Sequence, residues 1–123
     1  MIDHISLRVS DFQRSKAFYE AALAPLGYTL VFSNDKGAGF AGPDKEGIWI
    51  GHREGVSHGF AHVAILAKDR ATVRKFYEAA MKAGGRDNGG AGTRPQYSPT
   101  YYGAFVLDPD GHNIEAVCFA KGE

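Results

Sequence analysis

The chain has 123 residues, close to the size of one typical domain. With 44% apolar and 23% charged residues it has an ordinary globular balance, which argues against disorder. Fourteen basic residues against fourteen acidic ones give a formal net charge of zero, and no basic run stands out. Neither nucleic acid nor a membrane surface is therefore an expected partner. Cys118 is the single cysteine, which excludes an intrachain disulfide. The opening Met1-Ile2-Asp3-His4 does not read as a signal peptide, and no apolar run reaches membrane-spanning length, so a cytoplasmic location is expected.

In chain order, the first element is an alternating strand: Ile5, Leu7 and Val9 on one face, His4, Ser6 and Arg8 on the other. A helix follows, with Ser10 and Gln13 as a candidate capping box and Asp11 in the first turn. Its apolar stripe is Ser15, Phe18, Tyr19 and Ala22, and Gly27 reads as the exit. Strands are expected over Tyr28–Ser33, Gly39–Ala41 and Ile48–His52, with Pro43-Asp44-Lys45-Glu46-Gly47 as a turn. Arg53 to Gly59 joins this half to the next.

The second half repeats the first. Asp3-His4-Ile5-Ser6-Leu7 matches Ala61-His62-Val63-Ala64-Ile65, and at the same offset Phe18-Tyr19-Glu20-Ala21-Ala22 is identical to Phe76-Tyr77-Glu78-Ala79-Ala80. Asp69 is placed to cap the second helix, whose stripe is Val73, Phe76, Tyr77 and Ala80. Gly84-Gly85 ends it. Residues 86–102 read as a long Gly-, Pro- and Tyr-rich loop, a kind of segment that often carries function. Strands over Phe105–Leu107 and Asn113–Phe119 flank the strong turn Asp108-Pro109-Asp110-Gly111. The expected fold is α+β, with two paired βαβββ modules, 1–57 and 58–123, forming a curved mixed sheet around a cavity in one domain. A ferredoxin-like or dimeric α+β barrel is the rival reading, and the His-to-His register makes it less attractive.

His4 and His62 hold equivalent places on the two opening strands, opposite their apolar faces. Glu115 lies between inward-facing Ile114 and Ala116, so it points the other way. If the halves pair about a pseudo-twofold axis, two imidazoles and one carboxylate meet in the cavity. That set suits a divalent ion with open positions. Aligning Phe40 with Phe105, and Asp44 with Asp110 after a one-residue shift, puts Trp49 on Glu115, and indole offers no lone pair to a metal. By parity His52 points away from the cavity. Trp49, Arg8, Arg53, Tyr101 and Tyr102 are the candidate substrate contacts: Trp49 for stacking, the arginines for an anionic group. At most one of Tyr101 and Tyr102 faces the cavity. His58 in the join and His112 in the turn are expected to be exposed, Cys118 to be a packed thiol, and Tyr19 and Tyr77 to be structural.

Ile2-Asp3-His4-Ile5, Phe60-Ala61-His62-Val63-Ala64 and Asp108-Pro109-Asp110-Gly111-His112-Asn113-Ile114-Glu115 together resemble the vicinal oxygen chelate superfamily: glyoxalases, bleomycin-resistance proteins and extradiol dioxygenases. The resemblance spans nearly the whole chain. It implies one divalent metal ion (Fe, Mn, Zn or Ni) held by His4, His62 and Glu115, a small oxygen-rich substrate, and a homodimer. Trp49 departs from the four-ligand pattern of glyoxalase I. The two-histidine, one-glutamate set is closer to extradiol dioxygenases and fosfomycin-modifying thiol transferases. The resemblance leaves two functions open: a metal-dependent lyase, dioxygenase or thiol transferase, and a metal-free, drug-sequestering binding protein.

Overall fold

The structure, a computed structural model, describes residues 1–55 and 59–122; His58 lies outside them. Strand β1 (His4–Val9) buries Leu7 and Val9 and turns His4, Ser6 and Arg8 outward. Helix α1 (Phe12–Leu23) is capped by Asp11, which accepts the Arg14 N–H at 3.2 Å. The expected Ser10–Gln13 capping box does not form. Ser10 instead donates its N–H (3.0 Å) and hydroxyl (2.5 Å) to the carboxylate of Asp110. A charged acceptor for two donors outcompetes the local cap. Ser15, Phe18, Tyr19 and Ala22 are all buried, as the stripe requires. A 3-10 turn, Ala24–Leu26, ends at Gly27, whose φ of 87° is the left-handed exit that favours glycine.

Strands β2 (Thr29–Ser33), β3 (Gly37–Ala41) and β4 (Gly47–His52) complete a sheet ordered β1-β4-β3-β2, with β1 parallel to β4. The second module repeats this with β5 (His62–Leu66), α2 (Arg70–Lys82), β8 (Tyr102–Leu107) and β9 (Asn113–Cys118). Asp69 caps α2 by accepting the Thr72 N–H at 2.7 Å. The stretch read as one long loop contains two short strands, β6 (Arg86–Asp87) and β7 (Gly92–Thr93), both paired with β8. They take the place β2 holds in the first module. The second sheet runs β5-β9-β8-β6. The protein is thus α+β with two mixed sheets and no closed barrel, and β1 and β5 each stand at a sheet edge. No described helix is long and apolar enough to cross a membrane.

The registers make the repeat a residue-by-residue correspondence. Ser6 pairs with Trp49 as Ala64 pairs with Glu115, so Trp49 is the counterpart of Glu115. Phe40 pairs with Ile48 as Val106 pairs with Ile114. Phe40 therefore corresponds to Val106, not to Phe105, and the one-residue shift is unnecessary. The turns correspond as well. Gly42 N–H donates to Glu46 O and Lys45 N–H to Gly42 O, as Asp108 N–H donates to His112 O and Gly111 N–H to Asp108 O. Lys45 (φ 67°) and Gly111 (φ 93°) occupy the same left-handed position.

The modules meet through α1 against α2 and through the Asp108–His112 turn. Tyr19 donates to Asp108 at 2.5 Å, both groups fully buried; burial, then the adjacent carboxylate, holds the phenol well above its ordinary pKa. His112 is buried, not exposed. Its Nδ1 accepts the Ala61 N–H (3.3 Å) and its Nε2–H donates to the Arg8 carbonyl (2.9 Å), so the ring ties the end of β1 to the start of β5. Its position in a polar turn concealed this role. Tyr77 donates to Asp87 at the surface.

Candidate functional site

The second sheet presents the more elaborate polar cluster. Glu115 projects from β9 opposite the core residues Ile114 and Ala116, yet is only 1% exposed. Its Oε1 lies 2.8 Å from His62 Nε2, and its Oε2 accepts the Tyr101 hydroxyl. Gly103 makes this possible: a Cβ there would stand 3.1 Å from the Tyr101 ring and 3.5 Å from Glu115 Oε2. Burial, then the bond to Glu115, pushes the Tyr101 phenol up to about 12, so it stays a donor at neutral pH. The His62 side chain is 54% exposed. A buried carboxylate is thus reached from solvent past an imidazole. Phe105 flanks His62 (centroids 6.2 Å apart), and Tyr97 and Phe119 pack edgewise on Tyr101. The sequence reading missed these three rings. Phe105 was discoverable, since it pairs directly with Glu115.

The first sheet carries an aromatic platform at the corresponding place. Trp49 stacks on His4 with centroids 3.6 Å apart and 16° between planes, and Phe32 meets the indole edgewise at 5.4 Å. Glycines make room for it. A Cβ on Gly47 would stand 2.9 Å from both His4 Cβ and Trp49 Nε1, and one on Gly39 would run into Phe32 and Trp49. His4 also pairs with Asp3 at 2.9 Å.

The chain therefore brings His62, Glu115 and Tyr101 together, and places His4 with Trp49 on the other sheet. Among the described residues, no three His, Cys, Asp or Glu side chains gather closely enough to share an ion. Of the other candidates, Tyr102 is buried on the helix side of β8, bonded to Arg74 Nη1 (3.2 Å) under the guanidinium of Arg70. That removes it from the open face and leaves Tyr101 as the tyrosine that reaches it. Arg8 is exposed on β1, and Arg53 is exposed just after β4. His52 is exposed and borders a surface cleft with the start of α1, and Cys118 is buried.

A two-module α+β fold with a histidine–glutamate pair on one sheet and its repeat counterparts on the other defines a class, and the sequence comparison agrees. The chain belongs to the Glyoxalase/Bleomycin resistance protein/Dioxygenase superfamily, whose profile matches residues 1–116. Among solved structures it is similar to a glyoxalase/bleomycin resistance protein from Albidiferax ferrireducens T118 (27% identity, TM-score 0.82, 96% of this chain and 98% of that one). It also resembles a glyoxalase I mutant from Zea mays (28% identity, TM-score 0.73, 94% of this chain and 45% of that one). A putative glyoxalase from Bacillus halodurans shares the fold at 21% identity (TM-score 0.76, 96% and 95% covered). No curated protein matches the chain.

Proposed function

We propose that the protein is a metal-dependent enzyme acting on a small oxygen-rich molecule, working as a homodimer in which His62 and Glu115 of one copy and His4 of the other hold one divalent ion. The observation that carries this reading is the His62–Glu115 pair: a borderline nitrogen donor 2.8 Å from a buried carboxylate, on a face open to solvent. Imidazole and carboxylate together suit Fe, Mn, Zn or Ni. Within one chain His4 lies with Trp49 on the other sheet, so a second copy is the natural source of the third donor. The unpaired edges of β1 and β5, and the exposed Ile2 and Phe60 beside them, favour such a partner.

When bound, the ion would supply Lewis-acid stabilisation to a substrate oxygen. The protein's own groups do the rest. Tyr101 orients Glu115 by donating to its Oε2, which leaves Oε1 beside His62 Nε2 to share the ion. Tyr101, protonated at neutral pH, can pass its hydrogen bond from Glu115 to a substrate oxygen. Trp49 offers a flat face for stacking, and exposed Arg8 or Arg53 could meet an anionic group. Trp49 stands where a fourth ligand would be, which disfavours the glyoxalase I reaction and leaves dioxygenase or thiol-transfer chemistry ahead. Elemental analysis of untagged protein beside Glu115→Gln tests the reading. About one equivalent in wild type and little in the variant supports it; equal metal in both sinks it.

A second reading, a metal-free binding protein, is favoured by one specific feature. Both Glu115 oxygens already have protein partners, and the indole platform needs no ion to bind a flat ligand. Ligand binding unaffected by chelator and by Glu115→Gln, with no turnover, would select it.

A further inference from the structure

The two module junctions should be alike by the repeat, and they are not. At one, the Asp108–His112 turn latches onto the first module: Asp108 takes the Tyr19 hydroxyl, Asp110 takes Ser10, and His112 reaches the Arg8 carbonyl. At the other, Asp44 and Tyr77 keep the places of Asp110 and Tyr19, but the remaining latch residues are replaced. Gly42 stands for Asp108, so Tyr77, the counterpart of Tyr19, turns to Asp87. Glu46 stands for His112 and bonds Tyr28 instead, at 2.7 Å. Lys68 stands for Ser10, and among the described residues neither Asp44 nor any other carboxylate forms an ion pair with it.

What remains there is a cleft of about 400 Å³. Pro25, Leu26, Pro43, Leu66 and Ala67 form apolar walls, and Lys68 is its one charged residue. Leu66 is 71% exposed, an unusual state for a leucine beside a packed junction. Gly27 closes one end: a Cβ there would stand 3.0 Å from Pro43, so glycine lets the turn approach this far and no further.

We propose that this cleft is a binding site for a small amphipathic carboxylate, separate from the His62–Glu115 face. The ligand's carboxylate meets Lys68 as Asp110 meets Ser10, a contact that Asp44 does not make, and its apolar body covers Leu66 and fills the space between Pro43 and Ala67. Burying exposed apolar surface supplies the affinity, and the ammonium supplies the preference for an anion. The proposal does not depend on the metal reading.

The test uses the full chain and octanoate, with 1-octanol as the uncharged comparison, followed by amide chemical shifts. Octanoate should shift Leu26, Gly27 and residues 66–72, bind better than octanol, and do so equally with and without chelator. Lys68→Glu should weaken octanoate at least about fivefold and abolish the preference over octanol. Leu66→Asp, also at an exposed position, should weaken both ligands. Unchanged octanoate binding in both variants, no shifts at millimolar octanoate, or shifts centred on His62 and Glu115 would overturn it. Shifts in the cleft that track protein concentration without octanoate would also overturn it, by showing that a second copy fills the space.

Discussion

The repeat supplies an internal control for its own asymmetry. Tyr19 and Tyr77 are the same residue in equivalent helices, and each donates its hydroxyl to an aspartate. Tyr19→Phe leaves fully buried Asp108 with only the backbone N–H groups of Asp110 (2.9 Å) and His112 (2.8 Å). Losing a hydrogen bond to a buried charged group costs about 1.5–3 kcal/mol. A loss near 2 kcal/mol lowers Tm by roughly 8 °C for a chain of this size. Tyr77→Phe removes a 3.0 Å bond to an exposed aspartate, and a surface change of that kind stays within about 0.5 kcal/mol. Calorimetric melting of the two variants at matched protein concentration measures both. Similar Tm shifts, or a larger one for Tyr77→Phe, would refute the account of the Asp108 turn as the latch between modules.

Alkaline pH should act through the same contact. The fold raises the Tyr19 pKa, so it favours the protonated phenol; the stabilisation is whole below tyrosine's ordinary value near 10.0 and fades as pH climbs past it. Wild type should therefore lose its Tm advantage over Tyr19→Phe only in strong base. The Asp69 cap has the opposite sign. Its hydrogen bonds with Thr72 lower its pKa below 3.8, so the Tm gap between wild type and Asp69→Ala should be full at neutral pH and narrow in acid. On the open face, Gly39→Ala should force Phe32 away from the indole, at about 1–3 kcal/mol, with an altered near-ultraviolet signal from Trp49. An unchanged signal would remove Trp49 from the platform.

The repeat was plain in the sequence because each half carries its own strand and helix periodicity. His4 and His62, Phe18-Tyr19 and Phe76-Tyr77, and the Asp69 cap all follow from local chemistry. Glu115 could be oriented by parity alone. What stayed hidden depends on contacts between the halves. Ser10 looks like a cap until Asp110 is beside it, His112 looks like a surface turn residue until the Arg8 carbonyl meets it, and Tyr102 is decided by where Arg70 and Arg74 of α2 lie. The separation of His4 from Glu115 is of the same kind, since strand parity gives a side chain's face but not which sheets come together.

The most direct test of a metal site shared between two copies is complementation. His4→Ala and His62→Ala would each be prepared without metal, mixed under exchange conditions, reloaded and analysed for bound ion. If His4 comes from the partner, each variant alone binds little. A random mixture then recovers about a quarter of the wild-type metal, through the one intact site in each mixed dimer. A mixture that binds no more than its separate components would contradict the shared site.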